Sequence, residues 1–213
     1  MTNFEQFQKS VGVPSDHHRG DMAIFKLPTS IFTWLKKACT EARGHKNKVN
    51  SQLAGHIKEE YDFKNISENF LKFLLQCTGD KSLNNYLTHV TYLSENRPLY
   101  LHSMWVNYMK KHEFNPPHNH SGVLSFVIFV KIPYDLKEEE KCFTPQKPHN
   151  FTSKFVFHNI NPDGSLRTEG LNVDKSFEGV MLMFPSAQVH EVFPFYTSES
   201  YRITVSGNVR IKI

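Results

Sequence analysis

Residues 115–133 read NPPHNHSGVLSFVIFVKIP. Two prolines precede two histidines, His118 and His120, which stand one residue apart. A nearly unbroken apolar run follows and closes on Pro133. A run apolar at both parities reads as a strand buried on both faces. Residues i and i+2 of a strand point the same way, so the two imidazoles would leave one face together, at the mouth of a sheet. Imidazole is the commonest protein ligand for iron, copper and zinc. Two close histidines are also what an ordinary surface carries, so a third ligand has to come from elsewhere. His190, in GVMLMFPSAQVHEVFP (179–194), follows another buried run and a turn and offers one. The contiguous letters HNH give no support to a nuclease, because that family's residues are scattered through its fold.

Outward from this stretch, the pattern changes near Arg97–Pro98. Before it lie helical periodicities. MAIFKLP (22–28) reads as a short strand, and PTSIFTWLKKACTEAR (28–43) as a helix with Ile31, Trp34, Leu35 and Ala38 on one side. ISENFLKFLLQCT (66–78) predicts a second helix, capped by Ser67, and KSLNNYLTHVTYLSE (81–95) a third. Residues 1–22 are full of turn formers and predict irregular chain. After Pro98, strands dominate: LYLHSMWVNYM (99–109), the opening stretch, KFVFHNI (154–160) into an Asn-Pro-Asp-Gly turn, GVMLMFP (179–185) and YRITVSGNVRIKI (201–213). Helices first and strands after give an α+β chain, with helices packed on one side of a β-sandwich or barrel. A single domain over residues 1–213 is expected, mainly helical over 1–96 and strand-built over 97–213.

Composition narrows the function. The chain has 213 residues, 18 of them Phe, enough for a sizeable core. A formal net charge of +4 without a Lys/Arg block argues against a nucleic-acid partner. Three cysteines, Cys39, Cys77 and Cys142, are far apart and show neither a disulfide framework nor zinc spacing. No apolar signal core opens the sequence, and no apolar run reaches the roughly 20 residues of a membrane span. A reducing cytoplasm is the expected setting. Histidine is unusually frequent at 12, so position must decide which ones matter.

Four motifs occur in order: MWVNYM (104–109), PHNHSGVLSFVIFVKIP (117–133), GVMLMFPSAQVHEVFPF (179–195) and YRITVSGN (201–208). Together they resemble the iron(II)/2-oxoglutarate-dependent oxygenase superfamily, and more closely the oxygenases encoded by tailed phages. The likeness covers about residues 97–213; LAGHIKEEY (53–61) adds a weaker echo. The resemblance implies a double-stranded β-helix, the jelly-roll or cupin-like core. It implies Fe(II), 2-oxoglutarate and O2, and hydroxylation of a C–H bond with release of succinate and CO2.

Carried over position by position, His118 and His190 match the superfamily's histidine ligands. His120 stands where the superfamily usually has a carboxylate, so the resemblance implies a three-histidine face, as in cupin-type dioxygenases. Arg202 matches the basic residue that pairs with the distal carboxylate of 2-oxoglutarate, with Thr204 beside it on the same face; an arginine fork suits a carboxylate. Read without the resemblance, that face is more simply the solvent side of an edge strand. Asn107 is a candidate donor to the co-substrate, and Trp105 and Tyr108 are candidate pocket residues; packing is the competing role for each. Two rivals remain open from sequence. One is a cupin-like three-histidine enzyme that does not use 2-oxoglutarate. The other is a non-catalytic jelly-roll binding protein. Substrate and oligomeric state are not written in the sequence.

Overall fold

The computed structural model describes residues 22–45, 47–83, 86–87, 98–142 and 150–212. Residues 1–21, expected to be irregular, and most of the third helix expected over 81–95 lie outside them. The described part of that stretch holds a 3-10 turn, Lys81–Leu83, and two helical residues, Tyr86 and Leu87.

Among the described residues, ten strands form two antiparallel sheets. The first holds β1 (Ala23–Lys26), β2 (Glu60–Asp62), β3 (Leu99–Met109), β5 (Leu124–Lys131), β8 (Val180–Pro185) and β10 (Arg202–Ile211), in the order β1-β8-β5-β10-β3-β2. The second holds β4 (Asn115–His118), β6 (Phe155–Ile160), β7 (Leu166–Leu171) and β9 (His190–Val192), in the order β4-β9-β6-β7. The sheets face each other as a jelly roll, and helices α1 (Thr29–His45) and α2 (Glu68–Cys77) cover the outer face of the first. A short helix, α3 (Leu136–Lys141), follows β5 and is capped by the Asp135 carboxylate.

Side-chain alternation sorts the large sheet into two cores. Met104, Val106 and Tyr108 of β3, Val205 and Val209 of β10, and Ile128 and Val130 of β5 turn toward the helices. There they meet Ile31, Leu35 and Ala38 of α1 and Phe70 and Leu74 of α2, residues spaced three and four apart along each helix. Val127 and Phe129 of β5 and Leu182 and Phe184 of β8 turn the other way, against Phe155 and Phe157 of the small sheet. The sequence showed β5 and β8 apolar at both parities because both of their faces are covered.

The edge-strand alternative for β10 does not hold. It is paired on both sides, by β3 and β5, at the centre of the large sheet. At Gly207 an added Cβ would sit 2.6 Å from the Ser103 carbonyl oxygen and 2.5 Å from the Phe126 ring. Only glycine lets the backbones approach that closely.

Candidate metal centre

The three histidines come from two chain segments. His118 ends β4 and stands directly across from His190, the first residue of β9. The two prolines before His118 fit because β4 is the edge strand of its sheet, where a missing N–H breaks no ladder. His120 lies just past the strand, and its backbone N–H donates to the Ser186 carbonyl at 2.9 Å, tying it to the turn that precedes β9. The one-residue spacing brings both imidazoles to the same place. Ring centroids are 4.4 Å apart for His118–His190, 5.0 Å for His118–His120 and 5.1 Å for His120–His190. One nitrogen from each of the three rings lies within 4.8 Å of the other two.

Their hydrogen bonds and surroundings suit the chemistry of metal ligands. The Nδ1–H of His118 donates to the Pro116 carbonyl at 2.7 Å, and that of His190 to the Gln188 carbonyl at 3.0 Å. A carbonyl can only accept, so the tautomer is fixed and each Nε2 carries its lone pair outward. His190 is stacked on Phe155, with ring planes 13° apart, and abuts Phe184. Burial lowers the pKa of all three rings: His118 falls below its ordinary value, His120 drops to about 4 and His190 to about 3. The positive charge His118 would carry depresses the other two further. The rings are therefore neutral near pH 7, the state in which imidazole binds a metal. Glu191, next in sequence, points away and accepts from His158 Nε2 at 3.0 Å, so it is not a substitute carboxylate ligand.

Arg202 opens on the same cavity as the histidines and is 1% exposed. Its Nη1 donates to the Ser153 carbonyl at 3.0 Å, and its face lies over the Phe129 ring. Its Nε and Nη2 are buried without an acceptor among the described residues. A buried cation with two unpaired donors is costly to hold unless an acceptor arrives from outside. A carboxylate presents the matching pair of oxygens.

Beside it runs a relay of fixed polarity. Trp105 Nε1–H, which can only donate, reaches Asn107 Oδ1 at 3.1 Å. That sets the amide, and Asn107 Nδ2 donates to Thr204 Oγ1 at 3.1 Å and Ser206 Oγ at 3.2 Å. Both hydroxyls accept, so their own protons are free for an anion lying against Arg202.

The donor set thus fits both Fe(II) and 2-oxoglutarate. His118, His120, His190, Arg202, Thr204, Asn107 and Trp105 all line one cavity. Asn107 acts there through the hydroxyls it holds, since Trp105, Thr204 and Ser206 engage its amide. Tyr108 does not join them. It follows Asn107 in the strand, so it faces the helices, where it packs edge-on against Tyr61 and Tyr201 and under Arg43. The expectation of a pocket role for Tyr108 is corrected on that ground.

Sequence reasoning missed the wall formed by Leu53, Ala54, Ile57 and Glu60, and Asn115 on β4. The segment 53–60 has no periodicity, and β2 is three residues long. The only sign was the echo in LAGHIKEEY.

Comparisons agree with this geometry. Residues 103–208 match the model of a family described as "Putative 2OG-Fe(II) oxygenase". No curated protein matches the chain. Among solved structures, a Pseudomonas putida prolyl-4-hydroxylase is similar with a TM-score of 0.53 and 14% identity, over 97% of this chain and 100% of that one. A viral collagen prolyl hydroxylase from Paramecium Bursaria Chlorella virus-1, solved with 2OG, gives 0.51 and 9%, over 90% and 96%. A Trichoplax adhaerens prolyl hydroxylase, solved with a hypoxia inducible factor peptide fragment, gives 0.51 and 9%, over 98% and 92%. At these identities the likeness is one of fold. The family matched takes Fe(II), 2-oxoglutarate and O2. The stretch that carries His118, His120, His190 and Arg202 is thus, by sequence and by fold, a match to the 2OG-Fe(II) oxygenases.

Proposed function

We propose that this protein is a 2-oxoglutarate-dependent non-haem iron oxygenase that hydroxylates a C–H bond of its substrate, releasing succinate and CO2. His118, His120 and His190 hold the iron, and Arg202 with Thr204 holds the far carboxylate of 2-oxoglutarate. The observation that carries this is the pairing, in one cavity, of three neutral imidazoles with a buried arginine whose Nε and Nη2 have no acceptor among the described residues. A three-histidine enzyme without 2-oxoglutarate would leave those donors unmatched. Bound there, the iron and its co-substrate supply the oxidising chemistry. The protein's own part is to hold three imidazole lone pairs toward one place, to orient a carboxylate by the arginine fork and the Thr204 hydroxyl, and to exclude water. Val127, Phe155, Phe184 and Val192 form the apolar wall that does the last. The phage-type order of motifs supports a setting in the cytoplasm of an infected bacterium.

Anaerobic titration with Fe(II) and 2-oxoglutarate tests the reading. The expected result is a visible metal-to-ligand charge-transfer band in the wild type, lost in His120→Ala and weakened in Arg202→Ala. Metal binding without the band would favour the cupin-like rival, and no metal binding would leave a binding scaffold.

A further inference from the structure

A buried carboxyl lines the same cavity and has no part in holding metal or co-substrate. Glu60 lies on β2 with its Cα opposite Asn107, which in turn stands opposite Thr204. The three residues form one row across the large sheet, between the row of Arg202 and Met109 and the row of Ser206 and Trp105. Paired residues of neighbouring strands share a face, so Glu60 extends the polar floor to the sheet's edge. It is 3% exposed. Its Oε2 accepts from Asn50 Nδ2 at 2.9 Å, while its Oε1 is buried with no partner. Among the described residues no cation pairs with it.

The surroundings select one chemistry for what would meet Oε1. Asn115, which lines the same cavity, has its Oδ1 buried against Gly55 without a donor, so this wall holds two unpaired acceptors. Leu53, Ala54 and Ile57 beside them are apolar. Glu113, 9% exposed, adds a second carboxylate close enough to perturb Glu60. An anion would meet repulsion there. An ammonium or guanidinium on an aliphatic stem would satisfy the acceptors and lay its stem on the apolar residues. Burial, then Glu113, pushes the Glu60 carboxyl up to about 7, the mark of a carboxylate lacking its counter-charge.

We propose that Glu60 is the specificity-determining residue of the substrate subsite, and that the substrate carries a cationic nitrogen, ammonium or guanidinium, on an aliphatic stem. This rests on the oxygenase reading for its meaning, since it names what that centre would oxidise.

The test is anaerobic calorimetry on the protein loaded with Fe(II) and 2-oxoglutarate. The probes are Nα-acetyl-lysine methylamide, Nα-acetyl-arginine methylamide, neutral Nα-acetyl-norleucine methylamide and free n-butylamine. At least one cationic probe should bind ten-fold or more tighter than the norleucine compound. Glu60→Gln should abolish that preference, and Glu60→Asp, which keeps the charge, should retain part of it. Tight binding of butylamine would assign a small amine as the source, and binding of the capped residues alone a peptide. No preference in the wild type, or an undiminished one in Glu60→Gln, would overturn the proposal. Absence of the charge-transfer band from the same samples would instead sink the oxygenase reading, while the calorimetry still reports on Glu60.

Discussion

At its β10-β3-β2 end, the six-stranded sheet carries apolar residues on one face and polar ones on the other. On the helix side, Val106, Ile128, Val205 and Val209 are fully buried under Leu35, Phe70 and Leu74. That face is closed apolar packing, and its benefit is complete once the chain is folded. On the cavity side, one residue along each strand, stand Arg202, Asn107 and Glu60, 1%, 4% and 3% exposed. There the burial is unfinished: Arg202 Nε and Nη2, Glu60 Oε1 and Asn115 Oδ1 all lack partners among the described residues. Buried polar groups are normally paired, so a cluster of exceptions marks a surface completed by a ligand. Along β2, β3 and β10, strand parity thus separates the side chains that pack the core from those left for a ligand.

Substitutions on the two faces should therefore fail differently. Phe70 packs at 5.4 Å from Trp34 and 6.2 Å from Phe126, ring centre to ring centre. Phe70→Ala should cost about 3–5 kcal/mol in denaturant unfolding, with 2-oxoglutarate affinity of the folded protein unchanged. Arg202→Met should do the reverse. Removing a buried charge that has one bond should leave stability unchanged or raise it by about 1–4 kcal/mol. It should weaken 2-oxoglutarate binding by about 3 kcal/mol, roughly 100-fold. Should Arg202→Met destabilise as Phe70→Ala does, the arginine is part of the scaffold and the contrast between the faces collapses.

Parity is also what made the sequence legible. Apolar runs in 123–132 and 179–184 announced β5 and β8, and the alternation in YRITVSGN put Arg202, Thr204 and Ser206 together on one face, where the structure has them. The same rule assigns Tyr108 to the face opposite Asn107. What stayed hidden depends on chain reversals that no local pattern records. β4 carries two prolines, β2 and β9 are three residues each, and their pairing is set by partners far along the chain. The wall built from 53–60 closes on β4 through the His56 N–H to Phe114 carbonyl bond, a contact that sequence spacing cannot announce.

Glu60 gives the comparison a ligand-free test. Its carboxyl sits near 7 in the fold against an ordinary value of 4.5, chiefly through burial, with Glu113 adding to it and the Asn50 bond opposing. A raised carboxyl pKa means the folded protein holds a proton that the unfolded chain gives up. Stability should therefore be unaffected by Glu60 below pH 4.5, fall as pH rises toward 7, and level off above it. The total loss should be on the order of 3 kcal/mol. Glu60→Gln should flatten that slope in chemical unfolding from pH 4.5 to 8. A slope that persists in the variant would mean other groups set it and that Glu60 is not held against its charge.

Trp105 makes the smallest and most selective cut, because it joins the relay without touching the packed face. Its indole N–H fixes the Asn107 amide, and the amide fixes the polarity of the Thr204 and Ser206 hydroxyls. Phenylalanine keeps most of the ring volume but removes the donor, leaving Asn107 Oδ1 unpaired. Trp105→Phe should cost about 1 kcal/mol of stability. Its clearer effect should be on binding: with the amide free to turn, the hydroxyls can donate to Asn107 instead of to the ligand. A several-fold loss of 2-oxoglutarate affinity with an unshifted affinity for the metal alone would show that the relay serves the carboxylate end of the cavity. Equal losses for metal and co-substrate would instead assign Trp105 to its edge-on contact with the His120 ring, 5.7 Å away, and so to the histidine end.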